Sequence, residues 1–309
     1  MKIIVILLAI LLQLMAVDRE HGNTINKVNA ATVNTLLIFT SQEGLNSGKY
    51  TFTNTPANIT MDIYHLPVTY NFKSNSALNY FFVGNVGYSQ IYLDGNVEQL
   101  PPDVDLNYSN HIQTYTGGIG GGIRYEIMKY LSVSGGMEII YSRSGLTNKP
   151  GNSSVGDKLD GLFDKDYSNN LSYKIFTLLE YRPVVYDFKP YVTLGYKVFE
   201  TKSEISAKEV FSFDSESSVT SLSLGVESPK LYSFDEQNIT IEAYIIAHYL
   251  GGVVRKVVDF QTYRSIGAIA YYNTPEGPWW TSRFFLEANT VNSDGLNGYN
   301  FGMGFTVDF

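Results

Sequence analysis

The side chains best suited to catalysis or metal binding are few in this chain of 309 residues. Cysteine is absent, which excludes a thiol nucleophile, a zinc thiolate site and a disulfide. The four histidines are His21, His65, His111 and His248, and no two of them stand at the spacing of metal ligands. We therefore predict no catalytic residue, no cofactor-binding residue and no metal ligand.

Two other motifs fail the test of their context. Asp160, Asp164 and Asp166 suggest a run of calcium ligands, but the glycine and the distal glutamate of an EF-hand loop are missing. A solvated acidic loop is the better interpretation. The glycine-rich stretch 117–122 has dinucleotide-like spacing, yet it lies inside a predicted strand and opens no helix.

Charged residues at alternate positions of predicted strands offer different chemistry. One set is cationic and the other is anionic, and the two nearly balance: Arg124, Lys174, Arg182, Lys197, Arg264 and Arg283 against Glu126, Glu138, Glu180, Glu242 and Glu287. Alternation directs all of them to the face opposite the apolar one. A charge in a low-dielectric interior must be paired or hydrated. The set therefore predicts either a salt-bridged interior or a narrow polar channel.

The strands that would position these charges are clearest at the end of the chain. From Tyr299 to Phe309 every second residue is apolar, and the residues between are small or polar. Eleven further segments show strand patterns, and the twelve are Thr32 to Thr40, Ile59 to Phe72, Tyr80 to Tyr92, His111 to Glu126, Tyr130 to Ser142, Leu171 to Arg182, Tyr191 to Glu200, Phe213 to Val226, Asn238 to Tyr249, Phe260 to Tyr272, Trp280 to Thr290 and Tyr299 to Phe309. Each is long enough to cross a bilayer when tilted. The sequence predicts an all-β, antiparallel, up-and-down transmembrane barrel of about twelve strands.

The links between strands predict an orientation. Short links alternate with longer, more polar ones, and aromatic residues cluster beside the short links: Tyr70, Phe72, Tyr80, Phe81, Tyr125, Tyr130, Tyr181, Tyr186, Phe188, Tyr191, Tyr271, Tyr272, Trp279 and Trp280. Short turns face the periplasm and long loops face outside. Aromatic rings at the turn level mark the headgroup boundary. A soluble β-sandwich is the alternative, and it would leave this clustering without a reason.

Composition and the N-terminus fit an exported barrel. The hydrophobic fraction is 44% while mean hydropathy is only −0.07, because alternation conceals the lipid face. Lys2 and the apolar run from Ile3 to Ala16 predict a signal peptide at residues 1–16, followed by a short periplasmic segment at 17–31 and the barrel at 32–309. A net charge of −8 argues against nucleic acid as a partner.

These features together resemble the translocator β-domain of autotransporters. The resemblance rests on the closing segment from Phe301 to Phe309, on Leu66-Pro-Val-Thr-Tyr70 and on Gly84-Asn-Val-Gly-Tyr88. It implies a barrel in the outer membrane of a Gram-negative bacterium, exported through the Sec pathway. Autotransporters carry a long passenger before the barrel, whereas the first predicted strand here begins soon after Ala16, so we expect a solitary barrel without a passenger. Its expected partners are outer-membrane lipid, lipopolysaccharide and the barrel-assembly machinery, for which Phe309 is the assembly signal.

Three functions remain open for such a barrel. The first is a structural or surface-exposed, non-enzymatic protein, and the second is a narrow, porin-like channel for small polar solutes. The third and weakest is an outer-membrane hydrolase. The His-x-Ser motif of an outer-membrane phospholipase is absent, and His111 beside Asp103 and Asp105 matches an omptin-type protease only in part.

Overall fold

The fold is all-β in the computed structural model, which describes residues 38, 46–53, 58–72, 76–96, 107–149, 167–205, 214–234, 236–258, 260–274 and 281–308. Nearly all of these residues lie in strands, and one short helix joins two of them. No helix in the described part of the chain is long and apolar enough to cross a membrane.

Thirteen strands follow one another along the described chain. They are β1 (Asn46–Phe52), β2 (Asn58–Phe72), β3 (Leu78–Asn96), β4 (Asn107–Met128), β5 (Leu131–Lys149), β6 (Tyr167–Tyr181), β7 (Lys189–Ile205), β8 (Asp214–Glu227), β9 (Tyr232–Phe234), β10 (Gln237–Gly252), β11 (Thr262–Asn273), β12 (Thr281–Ser293) and β13 (Leu296–Asp308). The helix α1 (Val253–Val258) links β10 to β11. Strand β9 pairs only with β10, and the other twelve build the barrel.

Antiparallel pairing of sequential strands closes the barrel, with β13 returning to β1 in the register Ser47 to Phe301. Every barrel strand then has a neighbour on both sides, which satisfies the backbone groups that lipid cannot. Strand β1 is short, and beyond its start β13 pairs directly with β2, in parallel, at Val307 and Tyr70. This closed meander of twelve strands confirms the predicted fold class.

The two ends of the barrel differ in their connections. One end, the turn rim, carries the links after β2, β4, β6, β8 and β11. Two of these links are tight hairpins with non-glycine residues at positive φ, at Tyr130 and at Tyr186-Asp187. The other end, the loop rim, carries α1, the links after β1, β3, β5 and β7, and a tight turn at Asp294-Gly295 between β12 and β13.

The outward faces match the alternation found in the sequence. Leu66, Val68, Ile119, Ile123 and Ile175 are all between 48% and 64% exposed, although they are large and apolar. A soluble protein would not leave such a continuous apolar band in water. Outward rings of Phe72, Tyr80, Tyr125, Tyr181 and Tyr272 border the band at the turn rim.

A row of outward side chains forms the other border of the band. Tyr64, Tyr88, Tyr115 and Arg143 lie directly opposite one another on β2, β3, β4 and β5, and we call them the tyrosine rung. From Tyr64 to Phe72 the strand rises about 26 Å, or about 20 Å along the barrel axis at a tilt near 40°. That height is close to the apolar band of outer-membrane barrels.

The apolar residues change from the outward to the inward face at the tyrosine rung, and we call this change the phase reversal. Inward and outward positions themselves continue to alternate without interruption. Toward the loop rim, Met61, Ile91 and Ile112 point inward and are buried. Their outward neighbours on the same strands are polar: Asp62, Gln90 and Gln113. The barrel wall is therefore apolar outside at membrane level and apolar inside beyond it.

The inward apolar side chains at the loop rim form one hydrophobic core, which we call the plug. It draws on every barrel strand except β6: Tyr50, Phe52, Met61, Ile63, Ile91, Ile112, Ile140, Phe199, Val219, Leu250, Tyr263, Val291 and Leu296, with Ile38, Val254, Val258 and Phe260. Helix α1 turns Val254 and Val258 into it, and the rings of Phe52 and Phe260 stack at 6.3 Å. The plug extends across the lumen on the loop-rim side.

Three sequence predictions need correction. The strand that meets β13 is Asn46–Phe52, which the sequence placed in a loop, while Ile38 from the predicted first strand is helical and buried. Arg264 lies on the outer face, because β11 beyond the band turns Tyr263 inward. Phe81, Tyr191 and Tyr271 face the lumen rather than the headgroup boundary. The ring of Phe81 packs against Phe176 at 6.0 Å, and the hydroxyls of Tyr191 and Tyr271 reach Glu242.

The two faces of β7 should respond differently to charge. Leu194→Arg places a cation on the outward apolar band and should cost about 2–4 kcal/mol of folding free energy. Thr193→Arg points inward beside Glu180 and should cost much less. Unfolding in urea from lipid vesicles measures both, and an equal loss at the two positions would contradict the register.

Candidate functional site

The lumen at membrane level is lined by polar and charged side chains. Alternation brings them inward from β3, β4, β5, β6, β7, β8, β10 and β12, because the opposite faces of these strands are apolar. Together they hold six cations and six anions: Arg124, Lys174, Arg182, Lys189, Lys197 and Arg283 with Glu126, Glu138, Glu180, Glu227, Glu242 and Glu287. Balanced signs at this depth favour pairing over free charge.

The deepest pair is Glu138 and Lys174. Strands β5 and β6 place them directly opposite each other, and Lys174 Nζ lies 2.5 Å from Glu138 Oε2. Both side chains are buried, and Asn85 Nδ2 donates to the other carboxylate oxygen of Glu138. Because each charge has a partner, the pair can persist away from water.

Glu227, at the end of β8, is the centre of a larger network near the turn rim. Its carboxylate lies 3.0 Å from Lys189 Nζ, 2.6 Å from an Arg283 nitrogen and 3.6 Å from an Arg182 nitrogen. The Thr240 hydroxyl donates a further hydrogen bond at 3.0 Å. With 2% of its side chain exposed, Glu227 depends on these partners.

Glu242 forms the second centre of this network. It accepts hydrogen bonds from the hydroxyls of Tyr191 at 2.7 Å and Tyr271 at 3.2 Å, and lies 3.4 Å from Arg182. The same two rings also contact arginines. The guanidinium of Arg182 lies 4.2 Å from the Tyr191 ring centroid, and that of Arg283 lies 3.7 Å from the Tyr271 ring centroid. Cation–π contacts and ion pairs therefore hold the arginines from two sides.

The network opens to water at the mouth of the turn rim. Arg124 donates to Glu180 at 2.8 Å, and 47% of the Arg124 side chain is exposed. Glu126 is exposed beside it. A pair this accessible to water contributes little to stability.

Glu287 differs from the other lumen carboxylates. It accepts hydrogen bonds from the Tyr244 hydroxyl and from Asn289 Nδ2, and no ion pair joins it to another described side chain. Asn300 then donates to Asn289 at 2.8 Å, and the Tyr50 hydroxyl donates to Asn300 at 2.6 Å. This chain of hydrogen bonds connects the charged lumen to the plug.

Of the eleven charges predicted to face the lumen, the structure turns all but Arg264 inward. It brings Arg124, Arg182 and Arg283 together with Glu180 and Glu242, and it joins Lys174 to Glu138. Lys197 faces the lumen half-buried on β7. The sequence missed Glu227 as a centre, although alternation from Leu224 and Val226 assigns it to the inward face.

Several predicted features lie outside the described residues. They are the signal peptide 1–16, the segment 17–31, the side chain of His111, the acidic residues at 160–166, both tryptophans and Phe309. His65 and His248 are buried on the inward face, from different strands. Within the described ranges, no three His, Asp or Glu side chains group as metal ligands would.

No protein-family model and no curated protein matches the chain. Solved structures of low sequence identity do match it. The translocator domain of the autotransporter NalP from Neisseria meningitidis is 12% identical with a TM-score of 0.62, over 92% of this chain and 99% of that one. The β-domain of the Bordetella autotransporter BrkA is 8% identical with a TM-score of 0.56, over 86% and 99%.

The transport unit of the autotransporter AIDA-I from Escherichia coli agrees with these two. It is 8% identical with a TM-score of 0.54, and the match covers 92% of this chain and 99% of that one. The chain therefore has the fold of autotransporter translocator β-domains, as its sequence patterns predicted. At these identities the likeness concerns the fold.

The Glu227 network should make a measurable contribution to stability. Glu227→Gln removes the anion shared by three cations and should lower the unfolding free energy by about 3–5 kcal/mol. Glu200→Gln is the matched control, because its pair with Lys202 is exposed and should be worth about 1 kcal/mol or less. Urea titration of the folded barrel measures both, and equal effects would contradict the role of Glu227.

Proposed function

We propose that this protein is an integral outer-membrane barrel of the autotransporter-like type, exported through the Sec pathway, that is structural or surface-exposed and non-enzymatic. Its lumen does not conduct. The turn rim faces the periplasm and the loop rim faces the outside. Outer-membrane lipid surrounds it, and the barrel-assembly machinery inserts it.

The plug is the observation that carries this proposal. Solute that enters from the turn rim meets close-packed apolar side chains contributed by eleven of the twelve barrel strands and by α1. Ions would lose their hydration there without compensation. An apolar core across the lumen supports a closed barrel better than a porin.

The pairing of the lumen charges supports a structural role. Arg283 on β12 reaches Glu227 on β8, and Arg182 after β6 reaches Glu242 on β10. These pairs join strands that are not neighbours in the wall. The pairs connect distant parts of the barrel wall across the lumen. They also neutralise charges that a selectivity filter would leave available to passing ions.

The strands that continue past the tyrosine rung support surface exposure. From Tyr88 to the end of β3 at Asn96 the strand rises about 26 Å. The outward side chains in this part include Gln90 and Tyr92 rather than aliphatic residues. A wall that is polar outside and apolar inside is stable in water rather than in lipid, so this part of the barrel extends beyond the membrane.

A narrow channel for small polar solutes is the alternative. The polar lumen and the exposed Arg124 at the mouth of the turn rim favour it. Opening would require the plug to move, since it blocks the path from the polar lumen to the loop rim.

Planar-bilayer recording tests the proposal. The wild-type barrel should show no steady conductance. Leu250→Gly with Phe260→Gly removes two buried plug side chains and should produce brief openings, whereas Leu222→Gly with Leu224→Gly on the lipid face should not. A steady wild-type conductance that Arg283→Glu shifts toward cations would overturn the closed barrel in favour of the channel.

A further inference from the structure

We propose that the tyrosine rung binds the phosphorylated sugar headgroup of a glycolipid in the outer leaflet. This inference rests on the proposed membrane orientation and names a partner for the outward surface at the loop rim. It is separate from the lumen, because the rung residues and the lumen charges lie on opposite faces of the wall.

The rung is a continuous, ordered array. The Tyr64 and Tyr88 rings stack with centroids 6.2 Å apart, and the Tyr88 and Tyr115 rings lie 4.9 Å apart. Arg143 is directly opposite Tyr115 on the next strand, with its side chain exposed. Four strands side by side span about 14 Å, which suits a disaccharide better than a single phosphate.

The rows above and below fix the depth of the rung. Below it, Leu66, Val86 and Tyr141 continue the apolar band. Above it, Asp62, Gln90 and Gln113 form a polar row. The rung therefore lies where hydrocarbon ends and headgroups begin, which is the depth at which amphipathic rings are stable.

The hydrogen bonds around Tyr88 orient its hydroxyl. Tyr92 donates to Gln90 Oε1 at 2.6 Å, and Gln90 Nε2 donates in turn to the Tyr88 oxygen. Among the described side chains, none accepts the Tyr88 proton, which can therefore be donated to a ligand. In the row below the rung, on β5, Tyr141 donates to Asn169 Oδ1 at 2.9 Å.

The charge and the shape of the rung favour an anionic ligand that carries acyl chains. Arg143 supplies a guanidinium, whose planar donors match phosphate oxygens, and the phenol hydroxyls supply further donors. Asp62 is the acidic side chain on the row above Tyr64, two strands away from Tyr115. Directly below Tyr115 lies the outward Gly117, where an added Cβ would meet nothing closer than the Asn85 oxygen at 4.0 Å. This shallow groove leaves room for an acyl chain under the headgroup.

Lipid binding to the folded full-length protein in detergent tests the proposal. The probes are lipid A with two phosphates, the same lipid A without phosphates, and phosphatidylglycerol. The variants are Arg143→Gln and Tyr88→Phe, which keeps the stacked ring and removes only the hydroxyl. Arg264→Gln and Tyr125→Phe are matched controls, an outward cation on the opposite wall and an outward tyrosine at the turn rim.

We expect Arg143→Gln to weaken binding of the phosphorylated lipid A about tenfold, and Tyr88→Phe to weaken it several-fold. The controls should bind as the wild type does, and lipid A without phosphates should bind weakly to every form. The proposal would be overturned if the control variants lost as much lipid A binding as Arg143→Gln, or if phosphatidylglycerol bound as tightly as phosphorylated lipid A. It would also be overturned if the variants changed only the oligomeric mass and not the lipid binding. Heat-modifiable mobility of the same samples reports the folded barrel, so a failed lipid test is distinguishable from a failed barrel.

Discussion

The constraint on which this structure depends is the two-residue period of a strand. Each strand can offer an apolar face to one side of the wall only. In lipid the apolar face must point outward, whereas in water it must point inward. The chain meets both demands by reversing the phase at the tyrosine rung, where Ile63 points inward and the next residue, Tyr64, points outward.

The phase reversal explains why the lumen has two zones, an apolar zone beyond the tyrosine rung and a polar zone at membrane level. Beyond the rung the apolar faces meet at the centre and pack as the plug, in the manner of a soluble core. At membrane level the inward face is left to polar side chains, which must satisfy one another. The Glu227 and Glu242 network does so with cations and tyrosine hydroxyls drawn from both neighbouring and distant strands. The chain from Glu287 to Tyr50 joins the two zones.

Much of the fold could be read from the sequence because lipid-facing alternation is strong. The outward sets on β2, β4 and β10 follow directly from it. Arg264 was misassigned because the adjacent aromatic residues Tyr271 and Tyr272 leave the outward face of β11 ambiguous in the sequence. The structure turns Tyr272 outward, and strict alternation then puts Arg264 on the same outer face. The change of the apolar residues from one face to the other is visible in the sequence between Ile63 and Tyr64. The partners of Glu227 could not be read, since contacts across the lumen depend on curvature and not on periodicity.

The most direct test of the phase reversal is a single-cysteine scan along β2, which the absence of native cysteine makes clean. In one sample, each variant is reacted with a water-soluble maleimide after insertion into membranes. In a second sample, a fluorophore is attached to the cysteine before insertion, and brominated lipid tests whether that fluorophore is quenched. Asp62→Cys should react with the maleimide, and Leu66→Cys should be quenched by lipid. Met61→Cys should do neither, because the plug buries it. Rapid labelling at Met61, or lipid quenching at both Asp62 and Leu66, would contradict the reversal.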